Sequence, residues 1–129
     1  MVSNTGDLKD YYLQWTEESL GEMKTAFADF SASGSDPAAF VDKMHAIAHN
    51  IKGMGSSFGF PLMTAVGTSF CKYLRSPDTG TRPSTQVIDA HLKAMETILT
   101  NQITGDGGEN GEKLKTRLET IVEDALQTA

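Results

Sequence analysis

The stretch Ala48-His49-Asn50-Ile51-Lys52-Gly53-Met54-Gly55-Ser56-Ser57-Phe58-Gly59 sets a histidine on the polar side of an amphipathic helix and surrounds it with small residues. At about 100° per residue, with Phe40 as zero, Met44, Ile47, Ile51 and Phe58 fall within roughly 40° of one line, which predicts the buried stripe. His49 falls about 180° from that line, with Ser56 and His45 roughly 20° to 40° to one side of it and Gly53 about 40° to the other. Lys52, three residues on and about 60° away, is a neighbour of His49 on the same surface. An imidazole so placed is displayed to solvent rather than packed.

Outward from this stretch the apolar spacing predicts helices nearly everywhere, and Val and Ile never alternate over a strand-length window. The first helix is expected from about Asp7 to Ala32, with Leu8, Tyr11, Trp15, Met23, Phe27 and Phe30 on its apolar face, and Ser33-Gly34-Ser35 ends it. Asp36 caps the second helix and Pro37 fits its first turn; the glycines near Phe58 stop it. Pro61 opens a third, with Leu62, Val66, Phe70, Tyr73 and Leu74 as its stripe. After the turn-rich run Ser76 to Pro83, Ser84 caps a fourth helix carrying Ile88, His91 or Leu92, Met95, Leu99 and Ile103, which ends before Gly105. Gly105 to Gly111 reads as a loop, and Leu114, Leu118, Ile121, Val122 and Ala125 mark a fifth helix. Short links between amphipathic helices favour antiparallel neighbours. The expected fold is all-α: an antiparallel up-and-down four-helix bundle, with the additional C-terminal helix packed against its side.

At 129 residues the chain is expected to be one domain, residues 1–129, able to bury a core but too short for a second catalytic module. A formal charge of −6 argues against nucleic acid as a partner, since phosphate contacts need a clustered basic surface. Acidic groups would have to meet a local basic spot such as Lys52. The single cysteine, Cys71, forms no intramolecular bridge, the N-terminus lacks a signal-peptide pattern, and no apolar run approaches the ~20 residues that span a bilayer. A soluble cytoplasmic chain without membrane contact is the expectation.

A solvent-facing imidazole has an ordinary pKa of about 6.5 and offers an unprotonated ring nitrogen at neutral pH. With a cation one turn along and no side chain at Gly53 to crowd it, it suits a nucleophile that accepts an anionic group. His-x-Ile-Lys-Gly followed by Gly-Ser-Ser-Phe-Gly resembles the phosphoacceptor signature of histidine phosphotransfer (HPt) domains, the helical phosphocarriers of two-component phosphorelays. The motif spans His49 to Gly59, and the helical layout agrees over roughly residues 7 to 104. The resemblance implies that His49 takes the phosphoryl group on Nε2 from a receiver-domain aspartate and passes it to a response regulator. It implies further that Lys52 neutralises phosphoryl oxygens and Gly53 leaves room for the partner. Phosphoryl transfer depends mainly on positioning and on stabilising charge on those oxygens. The implied partners are response-regulator receiver domains and a hybrid histidine kinase, met by a monomer whose docking face holds His45 and Ser56 beside the acceptor. The receiver supplies Mg²⁺, so this chain needs no cofactor of its own.

The stretch is also similar to the phosphoacceptor domain of chemotaxis-type histidine kinases, through His-x-Ile-Lys-Gly and Phe58-Gly59-Phe60. Those domains carry a histidine and a glutamate on the following helix, near where Thr68 and Cys71 fall here, and this departure favours exchange with receivers over phosphorylation by an ATP-binding kinase domain. The alternative from a different class is a helical adaptor that binds a receiver without transferring phosphate. Such an adaptor has no need of His49, Lys52 and Gly53 together. His45 and His49, four residues apart, could reach one metal ion, but zinc takes three or four protein ligands, and only Cys71 and His91 remain as soft candidates. Asp106-Gly107-Gly108-Glu109-Asn110-Gly111 begins like a calcium loop, but its twelfth position is Arg117, where a bidentate Glu is required. No glycine run has the order that cradles a nucleotide phosphate, and the resemblance implies a stoichiometric carrier with no ATP-binding site.

Overall fold

The computed structural model describes residues 4–77, 79–80 and 82–128. Among them the chain forms five helices and no strand: α1 (Asn4–Ser33), α2 (Pro37–Gly55), α3 (Pro61–Leu74), α4 (Thr85–Thr100) and α5 (Gly108–Thr128). α1 packs on α2 and α4, and α3 on α2 and α4, so the first four helices close a ring in chain order. Phe30 stacks on Phe40 while Tyr12 stacks on Phe58, which fixes α1 and α2 as antiparallel neighbours. α5 lies in the groove between α3 and α4.

The boundaries follow from local chemistry. Asp36 takes a left-handed conformation, φ 47°, and its Oδ1 accepts the Ala39 N–H at 3.2 Å, which supplies one of the unpaired amides at the start of α2 with a partner. At the other end α2 tightens into a single 3₁₀ turn, Ser56–Phe58, and Gly59 reverses the chain at φ 90°. That conformation is cheap only for glycine. Ser84 caps α4 by accepting the Val87 N–H at 3.3 Å.

The core runs through Met23, Met44, Ile51, Phe60, Met63, Phe70, Ile88, Met95, Ile98 and Leu118. Four details depart from the sequence reading, the simplest being that α4 stops at Thr100 and Gln102 turns left-handed at φ 48°, so that Ile103 lies beyond the helix. On α1, Leu8 and Tyr11 are 55% and 61% exposed, whereas Tyr12 is fully buried. Phe58 and Phe60 offer ring faces to Tyr12 at 5.1 and 5.5 Å, and a step of one residue, about 100° of helix, leaves Tyr11 outside. On α2 the buried sector is turned toward α3: Val41, Ala48 and Gly55 are buried with Phe40, Met44 and Ile51, while Ile47 and Phe58 are only partly covered. α5 begins at Gly108, inside the run Gly105 to Gly111 that reads as a loop. The Asp106 carboxylate accepts the Gly108 N–H at 2.9 Å, the Gly111 N–H reaches the Gly107 carbonyl at 3.0 Å, and Glu109 favours the positive end of the helix. This first turn is largely polar, so it carries no apolar period.

Candidate functional site

The second half of α2 is bolted to the first half of α3. Thr64 Oγ1 donates to the Lys52 carbonyl at 3.0 Å and accepts from the Ser56 N–H at 2.9 Å and the Ser56 hydroxyl at 3.2 Å. One α3 hydroxyl thus replaces the intrahelical partners that α2 loses as it ends. Small residues make the approach possible. A Cβ on Gly67 would stand 2.8 Å from Lys52 Cβ and 3.1 Å from its Cα, and one on Gly55 would meet the Thr64 hydroxyl and the Phe60 carbonyl.

This junction fixes the sequence-predicted site residues. His49 is exposed, and Gly53 one turn on is exposed with no atom within 4 Å of where its Cβ would stand. Lys52 is partly buried because its stem lies over Gly67. That arrangement confines the stem, and the ammonium is close enough for its charge to act on His45 and Cys71. Ser56 is exposed and tied to Thr64. His45 is half-buried, its ring stacked on that of His49 at 5.9 Å with 17° between planes. Burial above all, then Arg75, His49 and Lys52, holds the His45 pKa below its usual value, against a smaller opposite pull from Asp42.

Arg75 is the member of this group that sequence reasoning missed. It caps the C-terminus of α3 and shares with His45, Asp42, Ser76 and Pro77 a groove of about 390 Å³ beside the His49 face. Nothing in the α2 periodicity points to it; the signal lies in the length of α3, which returns antiparallel to α2 and brings the residue after Leu74 level with His45. Thr68 is exposed and donates to the Thr64 carbonyl at 2.8 Å, and Cys71 is buried, with burial pushing its thiol pKa up against Lys52 and Arg75. Neither offers His49 an orienting carboxylate. His91 lies in the core, its Nδ1–H directed to the Val87 carbonyl at 2.8 Å, its Nε2 accepting from Ser69 at 2.9 Å and its ring stacked on Phe70. Among the described residues no group of three or more His, Cys, Asp or Glu could hold a metal ion.

The bundle thus presents the His49 imidazole to solvent, with Lys52 and the open position at Gly53 one turn along. A family model for the Hpt domain matches residues 7–126, and the chain belongs to that family. Searches among curated proteins and among solved structures returned no match. Membership gives the chain a histidine phosphotransfer role in phosphorelays, a setting in which Hpt domains interact with receiver domains and histidine kinases. Among the described residues no helix is long and apolar enough to cross a membrane.

Proposed function

We propose that His49 is the phosphoacceptor, taking a phosphoryl group from a receiver-domain aspartate and passing it to a response regulator. The exposure of His49 next to Lys52 and Gly53 carries this reading. Neutral imidazole Nε2 attacks phosphorus, the P–N bond forms, the P–O bond to the aspartyl carboxylate breaks, and the carboxylate leaves with the electron pair. Lys52 lies one turn along to neutralise the equatorial oxygens, where electrostatic stabilisation has most effect on this chemistry. Gly53 leaves the partner room to bring its aspartate up to the ring. The receiver holds the Mg²⁺, and the chain acts as a monomeric cytoplasmic carrier with no cofactor of its own, its 129 residues forming one HPt domain.

Thr68 and Cys71 stand where chemotaxis-type acceptor domains carry the histidine and glutamate of the following helix, which favours exchange with receivers over direct phosphorylation by a kinase domain. The docking face is the exposed side of α2 around His45, His49, Lys52 and Ser56. Incubation with a panel of phosphorylated receiver domains tests the reading: acid-labile label is expected on the wild-type chain and none on His49→Gln. A receiver that binds tightly yet labels neither protein would make the chain a non-transferring adaptor.

A further inference from the structure

Beyond its place on the docking face, His45 takes no part in the transfer step, although its ring stacks on that of His49 at 5.9 Å. The groups that face it can be named element by element. From α2 come Asp42, His49 and Lys52; from the end of α3 comes Arg75. The described loop residues at the groove, Ser76, Pro77 and Gly80, bring no charge. In this surrounding, three nitrogen bases or cations and partial burial disfavour a proton on the ring, and a single carboxylate favours one. A phosphoryl group on His49 reverses that balance, because it carries up to two negative charges at neutral pH.

We propose that His45 is a second phosphoryl-holding residue: neutral while His49 is free, it binds a solvent proton once His49 is phosphorylated and then donates a hydrogen bond to the phosphoryl group alongside Lys52. The inference rests on His49 being the acceptor. His45 and Lys52 flank His49 on the same, α3-facing side of α2, so a phosphoryl group leaning toward α3 meets both. Burial and then Arg75, which lines the same groove, lower the resting pKa of the His45 ring, and the phosphoryl charge acts against both. With phosphoramidate as donor the P–N bond to ammonia breaks, a P–N bond to His49 forms, ammonia leaves, and the proton gained by His45 comes from water. The phosphorylated carrier is thereby held longer on the acid side of neutrality and released faster on the alkaline side.

The coupling has a size that can be measured. Two charges about 6 Å away in a water-like medium move a pKa by about one unit. The His45 ring resonances are followed against pH by NMR in the full chain before and after labelling with phosphoramidate. A rise of about one unit in the His45 pKa is expected on labelling, and a labelled chain with an unmoved His45 titration overturns the proposal. His49→Glu supplies a fixed negative charge without any transfer chemistry, and about half that rise is expected there. A chain that takes no label therefore sinks the acceptor assignment alone, while an unmoved His45 in His49→Glu sinks this one. Phosphohistidine lifetime adds a functional readout. His45→Gln should shorten it and flatten its dependence between about pH 6 and 8, whereas His45→Lys should keep it long and flat. Lifetimes and pH profiles matching wild type in both variants overturn the proposal.

Discussion

The stem of Lys52 lies directly over Gly67: a methyl group at Gly67 would stand 2.8 Å from Lys52 Cβ and 3.1 Å from its Cα. The second of these is a backbone atom, so a larger residue cannot be accommodated by a side-chain rotation. It would push α2 off α3 and carry the Lys52 stem with it. Gly67→Ala should cost about 1–3 kcal/mol by overpacking and should slow transfer to His49 beyond that loss of folded protein. Denaturant unfolding together with transfer rates normalised to folded chain checks both halves. An Ala variant as stable and as active as wild type would show that the two helices can separate freely.

His49→Gln should abolish labelling while the helical signal and melting temperature stay nearly unchanged. An exposed side chain away from caps and packing matters by less than about 0.5 kcal/mol. Acid-labile phosphate retained on that variant would move the acceptor elsewhere.

Lys52→Ala should slow phosphoryl transfer without preventing receiver binding, because the ammonium acts on the charge of the phosphoryl group. Its stem also covers the Gly67 contact, so a small loss of stability is expected as well. Rapid-quench transfer rates beside an unfolding curve separate the two effects. Lys52→Met, which keeps the stem, should lose the rate and retain the stability.

Gly53→Gln should fold as well as wild type or slightly better. The position opens on empty space, and Gly is a poor helix former by up to about 1 kcal/mol. Transfer from a receiver should nonetheless fall sharply, with weaker binding, because a long side chain one turn from His49 stands in the path of the partner. Labelling by phosphoramidate, which needs little room, should persist. Wild-type exchange with the receiver would place docking on another side of α2.

His91 gives the fold a pH dependence of definite sign. Burial lowers its pKa, and the Val87 carbonyl only partly offsets this. The unfolded chain therefore binds more protons than the folded one once pH falls below about 6.5, and stability drops through that window. Above it the neutral ring keeps both hydrogen bonds. Thermal melts between about pH 7.5 and 5 should show the loss, and His91→Phe should reduce it to what His45, whose pKa is also lowered, contributes. Ser69→Ala leaves His91 Nε2 without its donor and should cost about 1–3 kcal/mol at neutral pH.

Much of this molecule is determined by sequence alone, because helix period and capping are local. Asp36 and Ser84 as N-caps, Gly59 as the reversal after Phe58, and the placing of His49 opposite Phe40, Met44 and Ile51 all depend on residues within a few positions of one another. What the tertiary structure decided involves partners far apart in the chain. Tyr12 rather than Tyr11 turns inward because Phe58 and Phe60 present their faces to it. The start of α5 is set by the Asp106 carboxylate, and Gly111 packs against the Asp106 carbonyl where no side chain fits. Lys52, on the periodic pattern an ordinary surface lysine, is held against α3 because Gly67 and the Thr64 hydroxyl let two backbones approach closely. Arg75 stands beside His45 for a similar reason: α3 returns along α2, and its last turn ends at the level of that ring. Local pattern thus determined which face carries the imidazole, and packing between distant segments decided which charges surround it.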